Sequence, residues 1–322
     1  MMNFYEDIIS QLTEFFKEKD PKFLHYNRHK AISNQYINFE NPINCFERKK
    51  IIAFFLLERL ISYKHRHIFS CKREVYISKE LQTKLDSGEY NDRLTIISTI
   101  KSNLEKGHNV NDRLSRSVEK IGENDPMLYE WHIYHLHLGD KKDKSGFYNT
   151  TGPLLLVFLP DVYGPAYLVD ITDNHHNNNI VFSKAETLEI IENNWPELLS
   201  KYKVNNVKIE HTITDEERSK LRGKKGVTAF NVINGEYFAN PGIGILCAKY
   251  KNKDKTKYPQ KSIEHFMYAR QIIKKIPFLE NELKNKQIPE YLNYKLEFDP
   301  KTLWFYIVEY APNKIPIIVY KL

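Results

Sequence analysis

The segment LLLVFLPDVYGPAYLVDI, residues 154–171, places the strongest constraint on how this chain folds. Two apolar runs flank PDVYGP, which has two prolines and a glycine within six residues and therefore suits neither a helix nor a strand. Such a pattern predicts a β-hairpin. Asn234-Gly235 lies between two further β-like runs and predicts a second hairpin.

Helical periodicity dominates the chain before Asp125-Pro126. Apolar residues from Phe4 to Phe16 recur at helical spacing, and FERKKIIAFFLLERLISYKHRH shows the same pattern more strongly. Two shorter segments, DRLTIISTIKSNLEKG and NDRLSRSVEKIG, are opened by Asn-Asp and closed by Gly, as helices commonly are. We therefore expect residues 1–125 to form a mostly helical domain.

The rest of the chain, residues 126–322, mixes helical segments with β-like segments. Ser183 with Glu186 and Thr214 with Glu217 have the spacing of capping boxes, and SIEHFMYARQIIKKI is a further helical segment. The C-terminal residues predict three short strands with a turn at Asp299-Pro300. We expect an α+β fold, with 126–322 as a second domain that has a possible subdivision near residue 205.

Composition limits the class of protein. The chain has 322 residues, of which 41% are hydrophobic, and a formal net charge of +7, so it can bury a substantial core and favours a phosphate-rich partner. Its three cysteines are widely spaced and form no CxxC pair, which is typical of a reducing cytoplasm. No signal peptide or long apolar run is present, so we expect a soluble cytoplasmic protein without a membrane partner. We also expect no cofactor.

The stretch WHIYHLHLGDKK, residues 131–142, contains three of the twelve histidines within six residues. As a strand from Trp131 onwards, it would place His135, His137 and Gly139 on one face, with the imidazoles about 7 Å apart. Such a pair can act as acid and base or bind one phosphate or metal ion. The alternative is that the histidines are hydrogen-bonded sheet residues without a chemical role.

A second polar cluster, VDITDNHHNNN, follows the second hairpin strand. Asp170, Asp173, His175 and His176 would lie at a strand end, where sheet proteins commonly place sites, although a plain polar loop is equally consistent with the pattern. A metal-dependent hydrolase would use four ligands drawn from both clusters, namely His135, His137, Asp170 and His175.

Basic side chains form two groups that suit a nucleic-acid contact. Lys141 and Lys142 follow the histidines, and ERSKLRGKKG contributes Lys220, Arg222, Lys224 and Lys225. These cations can contact phosphates, and those of the second group can equally stabilise the C-terminus of a helix.

Residues 128 to about 199, with YEWHIYHLHLG, the hairpin and LEIIENNWPELL, resemble a poorly characterised group of bacterial and phage-associated proteins with a WxIxHxHLx…DI…H…NWPE pattern. The strand arrangement is also topologically similar to the sheet of RelE-type toxins. This resemblance implies a metal-independent endoribonuclease of a toxin–antitoxin or phage-defence system, with RNA as substrate and an antitoxin or defence-system protein as partner. It implies His135 and His137 as acid and base, with His175 and Lys141 as further catalytic candidates.

Three hypotheses follow. The leading one is this ribonuclease, and the second is the metal-dependent hydrolase. The third is a non-catalytic nucleic-acid-binding or protein-binding protein with structural histidines.

Overall fold

The structure is a computed structural model that describes residues 3–19, 45–121, 125–150, 152–172, 179–205, 212–223, 228, 230–242, 263–285, 293–301, 304–310 and 317–321. It confirms the α+β class, with a helical N-terminal region followed by antiparallel hairpins.

Helices and strands of the described residues are numbered in chain order. The helices are α1 (Phe4–Lys19), α2 (Cys45–His65), α3 (Lys79–Asp86), α4 (Leu94–Lys106), α5 (Pro126–Trp131), α6 (Glu186–Asn194), α7 (Pro196–Ser200), α8 (Asp215–Gly223) and α9 (Ile263–Asn285). The strands are β1 (Val75–Ile77), β2 (Ile133–His137), β3 (Leu154–Phe158), β4 (Ala166–Thr172), β5 (Phe230–Ile233), β6 (Glu236–Ala239), β7 (Asn293–Asp299), β8 (Trp304–Tyr310) and β9 (Ile317–Lys321).

Residue contacts group the chain into two compact units. The first consists of Met1–His65, Glu119–Gly122 and Glu264–Leu322, and the second of Arg66–Val118 and Glu123–Ile263. The first unit therefore draws on both ends of the chain. The expected division into domains 1–125 and 126–322 is a statement about which parts of the chain fold independently, and it stays a prediction.

The first unit packs helices against an antiparallel sheet of order β7-β8-β9, which confirms the three predicted C-terminal strands. Helix α1 buries the apolar stripe that its sequence predicts, because Phe4, Ile8 and Leu12 are fully buried. The Gln11 amide of α1 donates to the carbonyl of Leu296 in β7 at 2.5 Å. The polar contact thus fixes the helix beside the sheet edge.

The second unit is built on a four-stranded sheet of order β1-β4-β3-β2. Strands β3 and β4 form the predicted antiparallel hairpin, β2 pairs antiparallel with β3, and β1 pairs parallel with β4. One face of the sheet packs on α3 and α4, and the other on α6, α7 and the β5–β6 hairpin. The β5–β6 turn at Asn234-Gly235 is also confirmed, with both residues at positive φ, as a type I′ turn requires.

Several local predictions were wrong. Trp131 ends a helix and does not begin the histidine strand, because Asp125 caps α5 and Pro126 suits its first turn. NDRLSRSVEKIG forms two short 3₁₀ turns in place of a helix. The predicted capping box at Ser183 is absent, since α6 has Ala185 at its N-cap, whereas the Thr214 box is formed with Glu217.

None of the helices in the described ranges is both long enough and apolar enough to cross a membrane.

Candidate functional site: a histidine-lined cavity

A short helix-turn-strand segment brings Asp125 and His135 together. Asp125 Oδ1 accepts a hydrogen bond from the amide of Leu128 at 3.1 Å, and the helix is closed by its C-cap residue His132, whose φ of 57° lies in the left-handed region. The chain then turns directly into β2, so that His135 lies next to the N-cap of the same helix. Asp125 Oδ2 is 3.4 Å from His135 Nδ1.

His135 and His137 share one face of β2, as the alternation predicts, with ring centroids 6.4 Å apart. Their surroundings differ. His135 is partly exposed and packs against Phe182, with ring centroids 5.2 Å apart, whereas His137 is buried with 3% of its surface exposed. Only His135 of this pair lines the cavity described next.

A cavity of about 360 Å³ lies within the second unit at the N-terminal end of α5. Its charged and titratable lining residues are Arg66, Asp125, His135 and Arg222. Its hydroxyl groups come from Ser115, Ser117, Ser183 and Ser219, and its aromatic lining from Tyr134 and Phe182. Two guanidinium groups, one imidazole and several hydroxyls suit an anionic ligand such as a phosphodiester.

Arg222 is held at this cavity by a buried carboxylate. Glu130 is fully buried. Its Oε2 atom accepts a hydrogen bond from Arg222 Nε at 2.7 Å and also lies 2.7 Å from Arg222 Nη2. Its other oxygen accepts from the amide of Thr228 at 3.1 Å and from the hydroxyl of that residue. The guanidinium also lies over the Trp131 ring, 4.2 Å from the centroid. This network fixes the position of one cavity cation.

Arg66 reaches the cavity from another part of the chain. It lies just beyond the end of α2, is buried, and donates to the carbonyl of Ser117 at 3.3 Å. The Ser117 hydroxyl in turn donates to that of Ser115 at 3.0 Å. Two guanidinium groups from distant segments thus line one cavity.

The lysines expected near the histidines lie elsewhere. Lys141 is exposed on the turn after β2 and does not line the cavity. Lys142 is 2.7 Å from Asp112, which raises the pKa of its ammonium group, and it lies 5.0 Å from the Tyr148 ring centroid. Gly139 faces no ligand space, because a Cβ there would lie 1.8 Å from Asn149 Oδ1.

Asp170, a predicted metal ligand, binds a different partner. Its carboxylate accepts from Lys84 of α3 at 2.8 and 3.0 Å. Burial nevertheless raises the pKa of Asp170, and this effect exceeds the opposing effect of Lys84. In the described ranges, no group of three or more His, Cys, Asp and Glu side chains is arranged to hold a metal ion.

Among the predicted nucleic-acid contacts, Lys220 is exposed on α8, whereas Arg222 is buried in the network with Glu130. Five further residues that the sequence singled out lie outside the described residues, namely Asp173, His175, His176, Lys224 and Lys225.

The sequence did not indicate Asp125, Arg66 or Glu130 as site residues. Asp125-Pro126 does carry the signal of a helix N-terminus, which would have placed a carboxylate near the following strand. Arg66 and Glu130 carry no such signal, because their roles depend on contacts between distant segments.

Neither a protein-family model nor a curated protein nor a solved structure matches this chain.

Proposed function

We propose that this protein is an endoribonuclease that cleaves RNA without a metal ion, using the cavity lined by His135. The observation that carries the proposal is the pair of His135 and Asp125 at a cavity that also contains the guanidinium groups of Arg66 and Arg222. A volume of about 360 Å³ lies within the usual range for small-ligand sites and suits one nucleotide unit.

His135 is the proposed general base and acid. In the reaction, the 2′ oxygen forms a bond to the adjacent phosphorus while the bond from phosphorus to the 5′ oxygen breaks. His135 takes the 2′ proton and returns a proton to the leaving 5′ oxygen, because an imidazole ring can act both as a base and as an acid. Asp125 Oδ2 lies on the Nδ1 side of the ring, 3.4 Å away, and is proposed to orient the imidazole.

The two arginines are proposed to stabilise the negative charge that develops on the phosphorane. Both are buried, where water screens charges less, and Glu130 offsets part of the Arg222 charge. Glu130 fixes Arg222 before substrate arrives and is therefore a positioning residue. This assignment replaces Lys141 and Lys142 of the sequence hypothesis with cations that line the cavity itself.

His137 is not part of the proposed chemistry, because it is buried and does not line the cavity. The role in a toxin–antitoxin or phage-defence system, with an antitoxin or defence-system partner in the cytoplasm, rests on the resemblance of residues 128–199 and remains part of the proposal. No observation in the described residues favours the metal-dependent hydrolase.

The test is cleavage of a mixed RNA pool by the purified full chain in EDTA. His135→Ala should abolish cleavage, and Asp125→Asn should reduce it by about 10²-fold or more because the imidazole loses its orienting charge. Lys141→Ala is the matched control, since this exposed cation lies outside the cavity, and it should cleave like the wild type. Cleavage that survives in folded His135→Ala would refute the site, and the absence of any cleavage would favour a binding protein.

A further inference from the structure

The second unit carries a pair of exposed aromatic side chains close to the cavity. Phe69 is 44% exposed and Tyr163 is 60% exposed, and the two rings meet edge to face at an interplanar angle of 73°, with centroids 5.0 Å apart. Two exposed aromatic rings in contact form a contiguous apolar patch, which is the kind of surface that proteins use for binding. We refer to Phe69 and Tyr163 as the aromatic pair.

A buried arginine holds both loops that carry the pair. Arg73 Nη2 donates to the carbonyls of Phe69 at 2.6 Å and Val162 at 3.2 Å, and its Nη1 donates to that of Gly164 at 3.2 Å. Tyr163 is fixed further, because its amide donates to Asp161 Oδ1 at 2.8 Å. The pair is therefore preorganised, which lowers the entropic cost of binding.

The position of the aromatic pair and the charged side chains near it indicate its ligand. Phe69 is three residues from Arg66, so the two Cα atoms are at most about 11 Å apart, and Arg66 lines the cavity. Gly107 packs against the backbone of Lys72. Because Lys106 precedes Gly107 in the chain, the exposed residues Lys72 and Lys106 lie near each other. Within the described part of the chain, neither of these ammonium groups is in an ion pair. Aromatic faces flanked by cations are how proteins hold unpaired bases.

We infer that the aromatic pair is a stacking platform for bases of single-stranded RNA next to the scissile phosphate, with Lys72 and Lys106 as phosphate contacts. This inference rests on the proposed function and specifies its substrate class. Bases in a duplex are stacked on each other and cannot reach the two rings, so the platform selects single-stranded over double-stranded RNA.

Binding can be measured separately from cleavage with a fluorescently labelled 2′-O-methyl oligonucleotide, which lacks the attacking hydroxyl. By anisotropy, the wild type should bind the single strand more tightly than the duplex. The F69L/Y163L double variant, which keeps apolar side chains but loses both rings, should bind the single strand about tenfold more weakly or worse. The F69Y/Y163F variant keeps both rings and should retain affinity.

Phe278→Leu is the matched control, because this side chain is 80% exposed in the first unit. It should bind like the wild type. Equal affinity in F69L/Y163L and the wild type, or no binding by the wild type, would overturn the inference and leave the pair to a protein partner. If only the proposed function is wrong, the wild type should still bind this probe but should not cleave unmodified RNA.

Discussion

The contact of Glu130 with Arg222 gives the most quantitative prediction. Glu130 is fully buried and Arg222 is 8% exposed, so Glu130→Met leaves a buried guanidinium without its carboxylate. Removing one partner of such a pair costs about 3–5 kcal/mol of the free energy of unfolding, because the remaining charge is uncompensated. The amide and hydroxyl of Thr228 lose their acceptor as well. We expect a loss in the upper half of that range.

A double-mutant cycle separates the pair from its surroundings. Arg222→Met should also destabilise, and the double variant should lose at least about 2 kcal/mol less than the sum of the two single losses. Urea unfolding monitored by fluorescence suits the measurement, since Trp131 lies 4.2 Å from the Arg222 guanidinium. A loss below about 1 kcal/mol in Glu130→Met, or purely additive losses, would refute the argument that Glu130 fixes this cation.

Two further predictions concern the residues around β2. Burial lowers the pKa of His132 to about 4, below its usual 6.5. As pH falls, this imidazole is therefore protonated in the unfolded chain before it is protonated in the folded chain. Stability should therefore fall between pH 6.5 and 4 by up to about 3 kcal/mol. His132→Asn should remove this dependence, because asparagine tolerates the positive φ and does not titrate. Its urea midpoint should then change less between pH 6.5 and 4 than that of the wild type, and equal slopes would contradict the assignment. Gly139→Ala should lower stability by about 1–3 kcal/mol in thermal unfolding, because its Cβ would lie 2.4 Å from the Asn149 carbonyl oxygen. Gly223→Ala, with open space around it, should be neutral, and equal effects of the two would count against the packing argument.

The hairpins and helices were predictable because each depends on local signals. PDVYGP and Asn234-Gly235 specify turns through residues next to them in the chain, and α1 shows its buried face in its own periodicity. The alternation of His135 and Leu136 between the two faces of β2 followed in the same way. The start of this strand was misplaced because Asp125 and Pro126 begin a helix that takes in Trp131.

The cavity was not predictable to the same extent. His135 stood out in the sequence, but Arg66 and Arg222 reach it from segments more than 60 residues away on either side. A basic run such as ERSKLRGKKG does not reveal that Arg222 faces inward while Lys220 faces solvent. That difference depends on Glu130, whose burial is set by tertiary packing.

In the proposed reaction, His135 drives attack by a 2′-hydroxyl without a metal ion. A DNA oligonucleotide with a single ribonucleotide, incubated with the protein in EDTA, tests it most directly. We expect one cut, immediately 3′ of the ribonucleotide, leaving a cyclic phosphate, and no cut by His135→Ala. Cutting of the all-DNA control, or equal cutting by His135→Ala, would contradict it.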